Sequence, residues 1–485
     1  MSGASPFEVR GVIEGFYGNP WTHAQRLAMV DWLADHGLNT FVYGPKDDPS
    51  LRRRWRRPYD TLALERLREL AARCADRGIT LVVAISPGLT IRYSDASDIA
   101  ALTAKVDQVR AAGAGGIAVL LDDIPGELQH AADLETFASL ADAHAALLRS
   151  VRAHVGDGTW LIACPWAYCG DPATSEYLVA LAAGTDPALD LFWTGPRICS
   201  HAIPLADAEA FAAVTGRRPL YWDNYPVNDV AMGFELHVGP YLGRDPRLAE
   251  AARGVIANPM ELFEASRVPL GTIAEYLADP AGYEPEAAWR RAIAETAGAV
   301  DDAEAFALVT ENTRSSCLDD TDAPTVTDAL AALVFAYESA RDAAADDAAR
   351  AGSPGHAEAA AEAEAALAAA ARELDAVATV LAAATHHLLN GAVANAQLVS
   401  ECRPWIEAIA IGATAMADLA TLASAGHARL EEDARAVLLP HLAELRRRRV
   451  RVFGDALDMT LADLMETHVK PGELTLAGPG GGDRT

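Results

Sequence analysis

Eight short runs of apolar and β-branched residues recur along the first 280 residues. They are EVRGVIEGF (8–16), NTFVYGP (39–45), TLVVAISPG (80–88), GIAVLLDDI (116–124), WLIACPWAY (160–168), DLFWTG (190–195), PLYWDN (219–224) and RGVIANP (253–259). Between them lie stretches with apolar residues at three- and four-residue spacing, such as THAQRLAMVDWLADHG, TLALERLRELAARCADRG and LETFASLADAHAALLRSVRAH. Several end on a glycine placed for a left-handed helix cap. Near-continuous apolar strands alternating with helices belong to parallel sheets covered on both faces. Eight such units within about 275 residues predict an α/β fold, a (β/α)8 TIM barrel. A doubly wound open sheet is the alternative, but it usually has fewer strands and no GxGxxG follows the first run.

The pattern changes beyond residue 285. Residues 326–452 are dense in Ala, Leu and Glu and contain no strand-like run; GSPG (352–355) interrupts one long helical pattern and Pro404 is placed to kink another. The expected organisation is a barrel domain at 1–285, an all-α bundle of long antiparallel helices at 286–470, and a disordered tail at 471–485 ending in GPGGGDRT.

Composition narrows the function classes. The 485 residues are 51% hydrophobic, enough for a large core. No apolar run approaches the roughly 20 residues that cross a bilayer, and MSGASPFEVRG lacks a signal-peptide pattern, so a cytoplasmic protein without membrane partners is expected. A formal charge of −28 argues against nucleic acid, whose phosphates this surface would repel. The basic run Arg446 to Arg449 reads as a solvated helix face. Six cysteines without a CxxC pair fit a reducing compartment and no zinc site; Cys164 and Cys169 read as buried thiols.

In a barrel of this kind the chemistry sits at the carboxyl ends of the strands. Here those ends carry EGFYG, GPKDDP, DDIPGE, WAYCG, WDNYPVND and ANP. Asp122 and Asp123 close the fourth run. Adjacent strand residues face opposite sides, so both serve one ligand only if the backbone turns, and Ile124, Pro125 and Gly126 supply a turn. Two neighbouring carboxylates resist simultaneous ionisation and can divide into one anion and one acid. Taken singly, the pair also suits a helix cap or magnesium ligands, Lys46 a surface position, and Tyr168 and Trp222 a core. Their joint placement at strand ends favours a cleft for a sugar-sized ligand.

GVIEGFYGNPW (11–21), NTFVYGPKDDP (39–49), ISPGL (85–89), LLDDIPGEL (120–128), WTGP (193–196), WDNYPVND (222–229) and the pair Asn258–Pro259 resemble the β-N-acetylglucosaminidases of glycoside hydrolase family 84. That family holds the O-GlcNAcases and the bacterial hyaluronidase-type hexosaminidases. The motifs follow the family's order over residues 8–280; SSCLDD (315–320) and ECRPWIEAI (401–409) resemble its stalk domain more weakly. The resemblance implies retaining, exo-acting hydrolysis of terminal β-linked GlcNAc, with the substrate's own acetamide as nucleophile and an oxazoline intermediate. By motif position, Asp122 would orient and stabilise the acetamide, and Asp123 would serve as acid and then base. Gly15 would let backbone approach the ring; Lys46, Asp229 and Asn258 would bond hydroxyls; Tyr168 and Asn224 would surround the acetamide, and Trp222 would wall its methyl. No cofactor or metal is implied.

The implied partners are β-GlcNAc glycoproteins, glycopeptides or oligosaccharides, with hyaluronan fragments as a further substrate reading. A homodimer through the helical domain is left open, as is that domain covering the cleft of a partner subunit. The chain departs from the family pattern at Trp166 and Ala167, where Thr-Glu is frequent, and at Asn19, where a basic residue is. Both positions are expected at the rim. Two other classes remain: a non-catalytic GlcNAc-binding protein on the same barrel, and a metal-dependent hydrolase, which the lack of a histidine cluster at the strand ends disfavours.

Overall fold

Every one of the eight apolar runs forms a strand in the computed structural model, which describes residues 5–350 and 354–466. The strands are β1 (Val9–Glu14), β2 (Thr40–Tyr43), β3 (Thr80–Ile85), β4 (Gly116–Leu120), β5 (Trp160–Cys164), β6 (Asp190–Trp193), β7 (Leu220–Asp223) and β8 (Gly254–Ala257). All pair in parallel and in sequence order, and β1 closes onto β8 with Gly11 opposite Ile256. The TIM barrel read from the sequence is the observed fold.

Strand alternation sorts the side chains into two layers. Val9 and Ile13 of β1, Val42 of β2, Val82 and Ala84 of β3, Ala118 and Leu120 of β4, Ile162 and Cys164 of β5, Phe192 of β6, Leu220 and Trp222 of β7 and Ile256 of β8 fill the barrel interior. Their immediate neighbours, among them Val12, Phe41, Val83, Val119, Leu161, Leu191, Tyr221 and Val255, pack outward under the helices. Both faces are therefore apolar, which is why these runs look continuous rather than alternating.

The helices start where the sequence offers caps. Thr22 and Gln25 form a reciprocal capping box ahead of the helix His23–Asp35, and Asp60 accepts from Ala63 N at 2.8 Å ahead of Thr61–Asp76. The stretch read as one helix over 134–154 is two, Ala131–Thr136 and Leu140–Val155. The first ends where Phe137 turns extended, and Ser139 starts the second by accepting from Asp142 N at 3.1 Å.

The compact unit holding the barrel continues past residue 285 through Ala303 and includes residues 314–320 and 395–401. The helix Pro285–Ala297 stays with the barrel because Trp289 is buried there and its indole donates to Val238 O at 2.6 Å. The second unit is helical, with Pro324–Ala349 packed along Pro354–Asn390 and His427–Arg448 against Ala456–Glu466. In it Arg446 pairs with Asp458 at 2.9 Å, and Arg447 and Arg448 pair with Glu444, so that basic run is a partly neutralised helix face.

Pro404 lies inside one continuous helix, Ala396–Ser424. That helix is, by length and composition, apolar enough to cross a membrane, contrary to the sequence expectation; 61% of its most apolar stretch is buried within the protein, as in a core helix. The tail at 471–485, expected to be disordered, lies outside the described residues.

Candidate active site

The inward phase of the strands continues past their ends and builds a cavity of about 660 Å³ at the carboxyl end of the barrel. Counting in twos from interior residues, β1 leads to Gly15, β2 to Lys46, β4 to Asp122, β7 through Trp222 to Asn224, and β8 to Asn258. All five positions line the cavity, as do Trp222, Tyr168, Asp229 and Asp123, so the nine residues singled out in the sequence meet in one place.

Asp123 alone breaks the alternation. A regular strand would aim it outward under the helices, where Val119 and Leu121 point. Its φ of 52° is left-handed and swings the carboxylate back into the cavity beside Asp122. Aspartate tolerates that conformation better than most residues. The main chain is held there by Arg52, whose Nη2 donates to Asp123 O at 3.0 Å.

The two carboxylates occupy unlike surroundings. Asp122 has a side chain only 7% exposed; its Oδ2 is ion-paired with Lys46, while Oδ1 is buried with no hydrogen-bond partner. Asp123 is 35% exposed and accepts from Tyr17 Oη at 2.8 Å and Tyr168 Oη at 3.0 Å. Lys46 Nζ also lies 3.8 Å from Asp123 Oδ2 and 5.3 Å from the Trp222 ring centre. Burial by itself pulls the ammonium down, but Asp122 and Asp123 outweigh it and hold Lys46 above its ordinary value. Burial, reinforced for Tyr168 by Asp123, pushes both phenols up, so they remain donors.

Around this pair runs a chain of neutral hydrogen bonds. Trp222 Nε1 and Asn258 Nδ2 both donate to Asn224 Oδ1, at 2.9 and 3.0 Å; Asn224 Nδ2 donates to Ile198 O at 2.9 Å. Asn258 Oδ1 accepts from Gly15 N at 3.2 Å, and Asp229 Oδ2 accepts from Tyr17 N at 2.7 Å. Burial, helped by Asp123, raises Asp229 above the usual carboxylate range. A Cβ on Gly15 would lie 2.6 Å from Trp222 Cζ2, so only glycine lets this backbone sit against the indole. A rigid aromatic wall, directional amides and two unlike carboxylates suit a neutral polyhydroxylated ligand with an amide substituent. Among the described residues no group of three or more His, Cys, Asp or Glu is arranged to hold a metal ion.

Several functional residues were not assigned from the sequence. Tyr17 lay in the quoted EGFYG, but nothing local shows that its hydroxyl reaches Asp123. Arg52, which donates from Nη1 to Tyr17 Oη at 2.6 Å, stands in the arginine-rich stretch LRRRWRR (51–57), where nothing local sets it apart. Behind the cleft, Arg244 and Tyr241 clamp Asp223 with bonds of 2.5–2.9 Å, fixing the end of β7. Cys164 is buried, as expected, but it lines the cavity; Cys169 is only half-buried because it lies in the loop after β5. Trp166 is exposed and packs edge-on against Tyr177, while Asn19 is exposed with its N–H on Glu261.

Residues 10–311 match the family model described as beta-N-acetylglucosaminidase. The chain is similar to the protein O-GlcNAcases of Rattus norvegicus and Mus musculus, each 36% identical over 271 residues, 55% of this chain and 29% of the relative. It therefore spans less than a third of those relatives' length. Among solved structures it is similar to a mutant of the Thermobaculum terrenum O-GlcNAc hydrolase, with 30% identity and a TM-score of 0.83 over 95% of both chains. It is also similar to CpGH84B, with 24% identity and a TM-score of 0.80 over 95% of this chain and 77% of that one, a likeness of fold alone.

Proposed function

Because the chain belongs to the β-N-acetylglucosaminidases of glycoside hydrolase family 84, we propose that it hydrolyses terminal β-linked GlcNAc with retention through substrate-assisted catalysis. The acetamide carbonyl oxygen attacks C1 as the glycosidic bond breaks, giving an oxazoline that water reopens. Asp122 is the partner of the acetamide: its unpartnered Oδ1 accepts the acetamide N–H and stabilises the positive charge the ring acquires, while Lys46 supplies the counter-charge on Oδ2. Asp123 is the acid and then the base. Its greater exposure suits a group that meets the leaving oxygen and, later, water.

Gly15, Lys46, Asp229 and Asn258 fix the ring, Tyr168 and Asn224 flank the acetamide, and Trp222 packs on its methyl. The observation that carries this reading is the left-handed Asp123, which brings two adjacent carboxylates to one cavity in different surroundings. The natural substrates are proposed to be O-GlcNAc glycoproteins or glycopeptides, in line with the names of the relatives.

The reading is tested with chromogenic β-GlcNAc glycosides while following the anomer first released. Cleavage with β-GlcNAc as first product, in both wild type and chelator-treated protein, is expected. Release of the α-anomer refutes substrate assistance, and tight binding of a GlcNAc-oxazoline mimic without any turnover would make the chain a binding protein.

A further inference from the structure

Two thiols lie against the part of the cavity wall that holds Asn224. Cys199, in the loop after β6, lines the cavity. Cys317, more than a hundred residues later in the segment 314–320 that folds with the barrel unit, lies within hydrogen-bonding reach of the Cys199 sulfur. Both are free thiols of intermediate burial. Cys317 Sγ also lies 3.9 Å from Asn224 O, and Ile198, next to Cys199, supplies the carbonyl that accepts from Asn224 Nδ2 at 2.9 Å. The pair thus brackets Asn224, one cysteine on its main chain and the other, through Ile198, on its amide. The rest of the mechanism uses neither sulfur.

The geometry points to Cys199 and Cys317 as a site of oxidative modification, a thiol pair that closes to a disulfide under a hydroperoxide and thereby displaces Asn224 from its substrate-holding position. The Cys199 sulfur, as thiolate, attacks one peroxide oxygen; the O–O bond breaks and, after protonation, one water leaves. The resulting sulfenic acid meets the Cys317 sulfur, the S–S bond forms, the S–O bond breaks, and the hydroxyl departs with the Cys317 proton as a second water. Two thiols and one hydrogen peroxide become one disulfide and two waters.

The two cysteines divide the roles unequally. The hydrogen bond from Cys317 favours the Cys199 thiolate and, against the opposing effect of burial, lowers Cys199 below an ordinary thiol, while Cys317 is pushed up by the same bond and by burial. Cys199 also faces the cavity, through which a small peroxide reaches it. By contrast, burial holds the Cys164 thiol, which lines the same cavity, far above its usual value. Closing the pair moves the Ile198 carbonyl and removes an acceptor from Asn224 Nδ2, and with it the hold on Trp222 and Asn258. A loss of about five- to tenfold in kcat/KM, mainly through KM, follows from one misplaced hydrogen-bonding amide.

The disulfide itself does not depend on the proposed glycosidase reading, whereas its effect on KM does. The full chain is treated with hydrogen peroxide at near-equimolar ratio, alkylated, digested without reduction and analysed by mass spectrometry, in parallel with chromogenic β-GlcNAc hydrolysis before and after dithiothreitol. A Cys199–Cys317 linked peptide, with loss of activity that the dithiol restores, is expected; Cys317→Ser should leave Cys199 as a sulfenic acid trapped by dimedone, and Cys199→Ser should yield neither product. If either serine variant folds poorly, the corresponding alanine replaces it. A linkage through Cys169 or Cys164 instead, or no linkage with Cys199 unmodified, overturns the site. Linkage with unchanged KM overturns the coupling to Asn224, and linkage in a protein without glycosidase activity leaves the site standing and refutes only the function.

Discussion

Asp123→Asn separates the acid role from every other contribution of this carboxylate. Acid assistance by one positioned group is worth about 10²–10⁴ in rate, or about 2.7–5.5 kcal/mol. A good phenol leaving group departs without a proton and forgoes that assistance; a poor one cannot. The substitution has a second cost, which the structure lets one separate. The carboxylate accepts from two phenols, Tyr17 at 2.8 Å and Tyr168 at 3.0 Å, and an amide offers one uncharged oxygen, so one bond is lost and the other weakened. That loss is about 1.5–3 kcal/mol for a desolvated group and falls toward the lower figure at 35% exposure. It acts on all substrates alike.

A plot of log kcat/KM against leaving-group pKa over a series of aryl β-GlcNAc glycosides is therefore expected to fall uniformly by that second cost and also to steepen, with about 10² or more of additional loss at the poor end. A uniform drop with no change of slope would refute the acid assignment and leave Asp123 as a positioning residue.

Three further outcomes follow from the geometry. Lys46→Met leaves the Asp122 carboxylate buried without its counter-charge, which should lower stability by about 3–5 kcal/mol in chemical denaturation and depress kcat/KM; unchanged stability would mean that the ion pair does not form. Gly15→Ala puts a methyl 2.6 Å from Trp222 Cζ2, and displacing that indole should cost about 1–3 kcal/mol in stability and about 10- to 100-fold in kcat/KM, a loss absent if the indole does not wall the acetamide. His144, buried between Tyr93 and Tyr177 with its imidazole pushed down to about 3 by desolvation, stays neutral in the fold while the unfolded chain takes up the proton near pH 6.5. Its contribution is thus complete above that pH and is lost as pH falls toward 3, at up to about 1.4 kcal/mol per unit, and His144→Gln should flatten this acid limb of a denaturation-midpoint profile.

The barrel was legible because its signal is local. Each strand is a run of apolar residues, and Thr22 and Asp60 cap their helices within three residues, although the sequence pattern reads through the equally local start at Ser139 as one helix. Counting in twos from the apolar runs reaches Gly15, Lys46, Asp122, Tyr168, Trp222, Asn224 and Asn258 for the same reason, whereas Asp123 and Asp229 fall out of phase, and the roles of the nine come from the family motifs. What stayed hidden depends on distance along the chain. Arg52 reaches the Asp123 carbonyl across 71 positions, Tyr17 its carboxylate across 106, and Trp289 anchors a helix to the barrel through Val238, which is why the domain boundary at 285 fell short. The backbone of Asp123 was half legible: Pro125 and Gly126 promised a turn, but a turn can occur without reversing the residue that matters.

Why position 123 should be the one that reverses follows from a comparison of three strand ends. At the ends of β1 and β7 an acidic residue also falls in the outward phase, Glu14 and Asp223, and each is fully paired there: Arg26 meets Glu14 at 2.6 and 2.8 Å, and Arg244 meets Asp223 at 2.6 and 2.9 Å. Burying a carboxylate under the helices requires such a partner. At the end of β4 the arginine that arrives, Arg52, bonds the main-chain oxygen and Tyr17 instead. The side chain therefore has no outward counter-charge, and the left-handed turn, tolerable for aspartate at a cost of order 1–3 kcal/mol, carries it to two phenols and the cavity. Asparagine accepts the same backbone, so Asp123→Asn leaves the turn in place and tests the chemistry, whereas a β-branched residue at φ 52° would test the backbone.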